Sequence, residues 1–595
     1  MFRLLLLYGF TLLSFIGLSL AQLEPSWGYK CEHNNCKKVE LTADNKKTAV
    51  SLSVCRLYCN LDAIGTLWPK PTGIVQIGND VVKISPNEIT FKTESFKREP
   101  AYWSMATERF IAMQKKKLPF KYSIRSGGKS LIIEVTVESD DMVFTLDTYE
   151  GYKLKISENN DGVHAVITAK NFYGARNALE SLSQLIVYDN IRNEILAVAA
   201  VEIEDEPKFK YRGILLDTSR NYFSIDSIKR TIEGMAMVKL NTFHWHITDS
   251  HSFPLVVKSQ PELSKLGAYS PEKMYTPEDV EEVVRFAKAR GIRVLPEFDA
   301  PAHVGEGWQH KDLTTCFNAQ PWKDYCVEAP CGQLDPSKDE VYNVLEDIYR
   351  EMIEHFQYPD IFHMGGDEVS VSCWNSSSSL QNWMIAKGWN LNESDFMKLW
   401  GYFQNNALER LDKANFKKVP IILWTSRLTE EPFLSQYLNN QRYIIQIWTK
   451  GDDPQVQTIL EKGFKMIVSN YDALYLDCGF GAWVTEGNNW CSPYIGWQKI
   501  YDNRMETIAG SYVNQVYGAE AALWTEQVDE WTLDARLWPR VSAMAERLWS
   551  NPEDGWRAAE SRMLVNRKRL VDIGGLSAER LQPEWCLQNE GDCPI

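Results

Sequence analysis

Past residue 21, the chain of 595 residues has no stretch approaching about 20 consecutive apolar residues, so no membrane-spanning helix is expected there. An excess of positive charge is also lacking. Lys and Arg number 64 against 79 Asp and Glu, a net charge of −15. That argues against nucleic acid or an anionic membrane as partner, because both are held through basic patches. Internal repeats and low-complexity segments are missing. No helical stretch carries paired histidines at metal-ligand spacing, so a metal hydrolase is not expected. No cysteine is left over, since the count is twelve and even.

What is present begins with a leader. Arg3 precedes an apolar run from Leu4 to Leu20, and Ser19-Leu20-Ala21 offers small residues for cleavage after Ala21. Residues 1–21 therefore read as a secretory signal, and the mature chain as secreted. The cysteines fit an oxidising compartment. Cys326 with Cys331, Cys478 with Cys491 and Cys586 with Cys593 lie close together. Cys31/Cys36 and Cys55/Cys59 are placed to cross-link the mature N-terminus, which leaves Cys316 and Cys373 for each other; the connectivity stays open. Zinc at the Cys55/Cys59 or Cys326/Cys331 spacings is disfavoured by export. Asn375 and Asn392 head glycosylation sequons. The 21 Trp residues suggest either a large core or flat faces for stacking on a ring-shaped ligand.

The length calls for two domains, the second the larger. Residues 23–70 read as cysteine-bearing and irregular. Residues 71–207 alternate in short strand-like runs, with Leu131–Val137 and Val163–Thr168 β-rich and Tyr173–Leu185 an amphipathic helix. This predicts a smaller α+β domain over 22–207, closed by a charged linker from Glu202 to Pro207. After Tyr211, apolar strand-like runs alternate with helices. The strand candidates are Gly213–Asp217, Thr242–Thr248, Arg293–Phe298, Asp360–Met364, Val419–Trp424, Tyr443–Trp448, Lys465–Ser469 and Ala521–Trp524. Helices are predicted from Ser224 through Met237 and over Pro277–Arg290. Eight strands separated by helices predict an α/β fold, a (β/α)8 TIM barrel, over 208–595 with a C-terminal extension.

Active-site groups in such barrels sit at the C-terminal ends of the strands. Here those ends carry Asp217 and Arg220, then Asp249, then Glu297, Asp299 and His303, then Asp367-Glu368. Trp424, Trp448, Tyr475 with Asp477, and Trp524 with Glu526 follow. The fourth end matters most. His363-Met364-Gly365-Gly366-Asp367-Glu368 puts two adjacent acids after two glycines, which permit a sharp bend and close ligand approach. Adjacent carboxylates in a water-poor cleft do not both ionise easily, so one is expected to hold a proton near neutrality. A solvated acidic pair in a loop is the plain alternative; the preceding apolar strand and the glycines favour function.

That hexapeptide resembles the signature of glycoside hydrolase family 20, the β-N-acetylhexosaminidases. Three further segments resemble the family's first barrel strands: Tyr211 to Arg220 (YRGILLDTSR), Phe243 to Asp249 (FHWHITD) and Pro296 to His303 (PEFDAPAH). The likeness covers nearly the whole mature chain. It implies substrate-assisted hydrolysis, in which the substrate's 2-acetamido oxygen attacks the anomeric carbon and forms an oxazolinium-type intermediate. Glu368 would be the general acid and then the base, and Asp367 would hold the acetamide nitrogen. Tyr475 would donate to the acetamide oxygen, and Trp424, Trp448 and Trp524 would wall the acetamide pocket. Arg220, Asp477 and Glu526 would bind hydroxyls of the terminal sugar and make the enzyme exo-acting. His303 with Asp249 would form a relay behind Glu368. Glu297 and Asp299 receive no role. Neither metal nor other cofactor is implied.

Trp322, Trp483 and Trp490 stand in cysteine-bounded loops rather than at strand ends. With Val327 and Glu328 they are expected to line an outer site that stacks on a second sugar. Such loops are similar to those of insect chitinolytic hexosaminidases, which implies a chitooligosaccharide substrate. The alternatives are a lysosomal-type member acting on glycoconjugates and a non-catalytic sugar-binding protein on the same fold. An endo-chitinase is disfavoured because its spaced acids in one strand motif are absent. A homodimer is one option for the assembly.

Overall fold

The computed structural model describes residues 25–59, 64–118, 127–589 and 593. The leader over 1–21 falls outside them. The described chain opens with a hairpin, β1 (Trp27–Glu32) and β2 (Asn35–Glu40), backed by a helix over Leu52–Tyr58. Cys31–Cys59 and Cys36–Cys55 join hairpin to helix, so the two neighbouring cysteine pairs are crossed rather than closed on themselves. This segment was expected to be irregular. The disulfides supply the closure that so short a stretch has too small a core to supply itself.

Next comes an eight-stranded sheet in the order β3-β10-β6-β7-β5-β4-β9-β8. Its strands are β3 (Val75–Ile77), β4 (Val81–Thr93), β5 (Lys129–Val137), β6 (Tyr152–Glu158), β7 (Val163–Ala169), β8 (Ile186–Asp189), β9 (Glu194–Val198) and β10 (Val201–Asp205). Helices Pro100–Lys116 and Phe172–Gln184 accompany it. The segment read as a linker over 202–207 is therefore mostly strand. Val201, Ile203 and Asp205 face inward at every second residue while Glu202 faces out, and β10 pairs with both β3 and β6. Of the charged residues that suggested a linker, Glu202 lies on the solvent side of a period-two pattern, whereas Asp205 is buried and pairs with Lys239.

The barrel closes in the order β11 (Tyr211–Asp217), β12 (Thr242–His246), β13 (Arg293–Glu297), β16 (Phe362–His363), β17 (Ile421–Trp424), β18 (Tyr443–Ile447), β19 (Lys465–Val468) and β20 (Val516–Leu523), all parallel. Each predicted barrel strand is present, with ends shifted by a few residues. The intervening helices form for readable reasons. In Pro277–Lys288, Thr276 and Asp279 make a reciprocal capping box, and Val280, Val283, Val284 and Ala287 bury one face. In Ile225–Met237, the Ser224 hydroxyl accepts from Ser227 N. Between β13 and β16 a long insert carries a small hairpin, β14 (Thr314–Thr315) with β15 (Gln333–Leu334), tied by Cys316–Cys373 and Cys326–Cys331. Cys478–Cys491 closes a second loop after β19, and Cys586–Cys593 the C-terminal end. No helix of the described residues is long and apolar enough to cross a membrane.

TIM barrels usually fill their interior with branched apolar side chains. This one does so only in part. On β12, Phe243 and Trp245 join the apolar core, whereas His244 and His246, on the opposite face, meet Glu297 of the neighbouring strand, and His244 also meets Glu520 of β20. The polar interior lies directly beneath the site.

Candidate active site

A cavity of about 500 Å³ opens at the C-terminal ends of the strands. Arg220, His303, Asp367, Glu368, Trp448, Tyr475, Asp477, Trp524 and Glu526 line it from the barrel. Trp322, Val327, Glu328, Trp483 and Trp490 line it from the two disulfide-closed loops. The structure thus brings together fourteen of the sixteen residues singled out from the sequence. The other two lie just behind. Asp249 is buried under Arg220 and His303. Trp424 is 1% exposed, its ring 6.1 Å from that of Trp524.

The Gly-Gly-Asp-Glu turn has a definite cause. Gly365 and Gly366 adopt φ of +59° and +88°, and Glu368 itself sits at +53°. A Cβ on Gly365 would fall 1.9 Å from Asp299 Oδ1, so this carboxylate requires glycine there. The same oxygen accepts from Gly366 N at 2.7 Å. Asp299 therefore folds the turn that presents both acids. Burial raises its carboxyl, to about 6.

Asp367 is raised well above the ordinary carboxylate range, first by burial and then by the nearby Asp299 carboxylate. Its Oδ1 has no hydrogen-bond partner among the described residues. A buried acceptor without a partner is costly unless something arrives to satisfy it. Glu368 Oε2 lies 3.4 Å from His303 Nε2. His303 Nδ1 in turn lies 3.0 Å from Asp249 Oδ2. Burial opposes the charged imidazole of His303, but Asp249 and Asp299 raise it overall, well above its ordinary value. Asp249 is held well below the carboxylate range, because Arg220 and His303 outweigh the effect of its burial.

Arg220 grips Asp249 Oδ2 through Nη1 at 2.7 Å and Glu328 Oε2 through Nη2 at 3.1 Å, with its guanidinium 5.2 Å over the Trp524 ring. Burial pushes Asp477 up to about 7 and raises Glu526 well above its usual value. The inner end is walled by aromatics. Trp448 is fixed by its indole donating to Thr425 O at 2.7 Å. Burial keeps the Tyr475 phenol protonated far above neutrality, so it can serve as a donor. At the mouth, Trp490 is 63% exposed yet seated on Tyr471, Tyr475 and Trp448, while Trp483 stands over His251.

Sequence reasoning missed several groups. Phe480, Asn489, Gln527, Val528 and Arg536 also line the cavity. Below it, His244, His246 and His363 gather around Glu297. The signal for the last group was there: polar residues at i and i+2 on an otherwise apolar barrel strand must point inward together.

Paired acids at the fourth strand end, an imidazole relay and a sugar-sized aromatic pocket define a barrel glycoside hydrolase site. The family description "Glycosyl hydrolase family 20, catalytic domain" matches residues 209–552, and "beta-acetyl hexosaminidase like" matches residues 67–185. The chain is 54% identical over 580 residues to a chitooligosaccharidolytic beta-N-acetylglucosaminidase of Bombyx mori, covering 97% of each chain. It is also 54% identical over 578 residues to the protein so named in Ostrinia furnacalis, again covering 97% of each. A solved structure of a family 20 exo beta-N-acetylglucosaminidase from Vibrio harveyi, in complex with N-acetylglucosamine, shares the fold. Its TM-score is 0.67 at 23% identity, over 87% of this chain and 78% of that one. The chain belongs to glycoside hydrolase family 20.

Proposed function

We propose that this protein is an exo-acting, retaining β-N-acetylhexosaminidase that removes non-reducing terminal GlcNAc, with chitooligosaccharides as its substrate. The observation that carries the reading is the pairing of a buried Asp367, whose Oδ1 is left without a partner, with a Glu368 backed by His303 and Asp249.

Glu368 gives its proton to the glycosidic oxygen as the bond to the anomeric carbon breaks, and the substrate's acetamide oxygen attacks that carbon from the other face. Asp367 accepts the acetamide N–H. Burial opposes its ionisation in the empty site, and the positive charge developing on the oxazolinium reverses that balance where it is needed. Tyr475 donates to the acetamide oxygen, and Trp424, Trp448 and Trp524 hold the group against the anomeric carbon. In the second half Glu368 takes a proton from water, which attacks the same carbon and restores the starting configuration. Adjacent acids on one turn do not straddle the sugar as the nucleophile and acid of other retaining enzymes do.

Arg220, Asp477 and Glu526 bind the hydroxyls of the terminal sugar and end the cavity, which favours exo action. Trp490, Trp483, Trp322, Val327 and Glu328 form the outer wall and receive the next sugar. The identity with the two insect enzymes supports chitooligosaccharides. Six disulfides support secretion, with 1–21 as leader, 22–207 as the α+β domain and 208–595 as the catalytic barrel.

The test is product release from β-1,4-linked GlcNAc oligomers of increasing length. Single GlcNAc units should leave from the non-reducing end. Glu368→Gln should lose about 10²–10⁴ in kcat. Trp490→Ala should raise KM for the longer oligomers by roughly tenfold, the equivalent of one lost aromatic contact. Internal cleavage, or full activity in Glu368→Gln, would sink the assignment.

A further inference from the structure

Beneath the cavity lies one carboxylate to which the reaction described above gives no role. Glu297, the last residue of β13, is fully buried. Its Oε1 accepts from the Trp424 indole at 2.8 Å and meets His363 Nδ1 at 3.0 Å. Its Oε2 meets His246 Nδ1 at 2.5 Å and His244 Nε2 at 3.1 Å. The two oxygens lead to different halves of the site. From Oε1 the next group is Trp424, under the aromatic pocket. From Oε2 a chain runs through His246 Nε2 to Asp249 Oδ2 at 3.0 Å, then to His303 at 3.0 Å and Glu368 at 3.4 Å.

The protonation of His246 follows from its neighbours. Both ring nitrogens face carboxylate oxygens, and a neutral imidazole has one N–H to give. Satisfying Glu297 and Asp249 together requires the doubly protonated cation. Burial alone would oppose that charge, but Glu297 and Asp249 lift the imidazole to about 10. The remaining charged and titratable neighbours are few. Arg220 Nη1 lies 3.3 Å from His246 Nε2. Arg220 also grips Asp249, and His251 Nδ1 stands 3.7 Å from Asp249 Oδ1. His303 is faced by Asp249, Asp299, Asp367 and Glu368. Behind His244 stands Glu520, at 2.8 Å.

We propose that Glu297 is a positioning residue for hydrolysis. One of its oxygens fixes Trp424 beneath the acetamide pocket, and the other holds His246 as a cation against Asp249, which sets the charge felt by the His303–Glu368 pair. The proposal rests on the reading of Glu368 as acid and base. It joins substrate positioning and proton transfer in a single buried group that touches neither the substrate nor the reacting atoms.

The proposal has a consequence that packing alone would not produce. Glu297→Gln keeps an oxygen for Trp424 and supplies an N–H to His246 Nδ1, but carries no charge. His246 then loses the partner of its second proton and becomes neutral, with Nε2–H still donating to Asp249. Glu297 and His246 lose their charges together, and His246 is the nearer of the two to His303. Asp249 is therefore less compensated and pulls harder on the His303 proton. The pair, which titrates as a unit, holds its proton to higher pH, yet keeps it on His303 rather than on Glu368.

The experiment measures kcat and kcat/KM against pH on an aryl β-GlcNAc substrate for wild type, Glu297→Gln, His246→Gln and the double variant. The proposal expects kcat to fall about tenfold in Glu297→Gln and the basic limb of kcat/KM to move up by about half to one pH unit. It expects the same upward shift in His246→Gln and no further shift in the double variant, because both act through one chain. A thiazoline mimic of the intermediate should also bind more weakly to Glu297→Ala, which leaves the Trp424 indole without its acceptor, than to Glu297→Gln or His246→Gln, which keep it. A Glu297→Gln enzyme with the wild-type kcat and basic limb would overturn the proposal. So would an upward shift confined to one of the single variants. If Glu297→Gln does not fold, His246→Gln reads the same arm alone, and an unmoved limb there would also overturn it. Failure of wild type to release GlcNAc, or full activity in Glu368→Gln, would instead mark the failure of the underlying reading.

Discussion

At the scale of single residues, the site is governed by what its carboxylates touch. Asp249 is surrounded by donors and is held ionised. Asp367 is buried beside another acid, and both effects oppose its ionisation. Asp299 does neither job directly, yet it shapes the turn bearing both acids, and Gly365 leaves it room. Gly365→Ala should therefore leave the barrel folded while lowering kcat by about 10² or more, since displacing reacting groups by an ångström has effects of that size. Circular dichroism together with kcat measures both halves of that expectation; a fully active variant would mean that the turn tolerates a Cβ against Asp299. The same scale shows what the sequence makes legible. Asp367 and Glu368 stand out because two glycines and an apolar strand announce them. Glu297 shows only as a strand-end acid and His246 only as an inward-facing neighbour of His244, because what they do depends on partners from other strands, which the local pattern does not name.

At the scale of elements, the barrel strands were readable because each is a short apolar run bounded by helices with clear caps, such as Thr276 and Ser224. Strand β10 was misread because a run of acids ending in proline looks like a linker until its pairing on both sides, with β3 and β6, is known. The loop from Cys478 to Cys491 was readable as a unit, and its two Trp residues were expected at an outer site, where the structure has them at the cavity mouth. It brings Trp483 and Trp490 to the mouth, with Asn489 anchoring it by donating to Asp477 O at 2.8 Å and accepting from Gly479 N at 2.9 Å. Replacing both cysteines by serine should loosen the loop. KM for the longer GlcNAc oligomers should then rise several-fold, and more than KM for an aryl β-GlcNAc, which needs no second-sugar contact. Equal changes on both substrates would mean that the disulfide supports the inner pocket instead of the outer one.

At the scale of the whole molecule, the α+β sheet and the barrel are joined by a buried charge cluster. Glu180, on helix Phe172–Gln184, meets Arg109 at 2.9 Å, Arg176 at 3.4 Å, and Arg569 of the helix Trp556–Asp572. Arg109 continues to Glu233 on the barrel helix Ile225–Met237 at 2.7 Å. Burial raises the Glu180 carboxyl, but the three arginines more than offset it and leave it at about 2. A folded value below the unfolded one gives stability that is present above about 4.5 and lost as pH falls toward about 2. Glu180→Gln should thus be destabilised by about 3–5 kcal/mol at neutral pH. The deficit should shrink in denaturant titrations run below the ordinary carboxylate range. A pH-independent deficit would place the loss in packing rather than charge. This long-range contact had no trace in the sequence, because charge on a helix reads as solvent-facing until a second domain covers it.

The central claim is that the substrate supplies its own nucleophile. It is tested most directly by kcat/KM on aryl β-GlcNAc analogues whose N-acetyl group carries none, one, two or three fluorines. Each fluorine withdraws electrons from the acetamide oxygen and leaves the leaving group unchanged. Substrate-assisted hydrolysis predicts a steep, monotonic fall across the series. A nearly flat series would contradict the account and return the nucleophile to the protein.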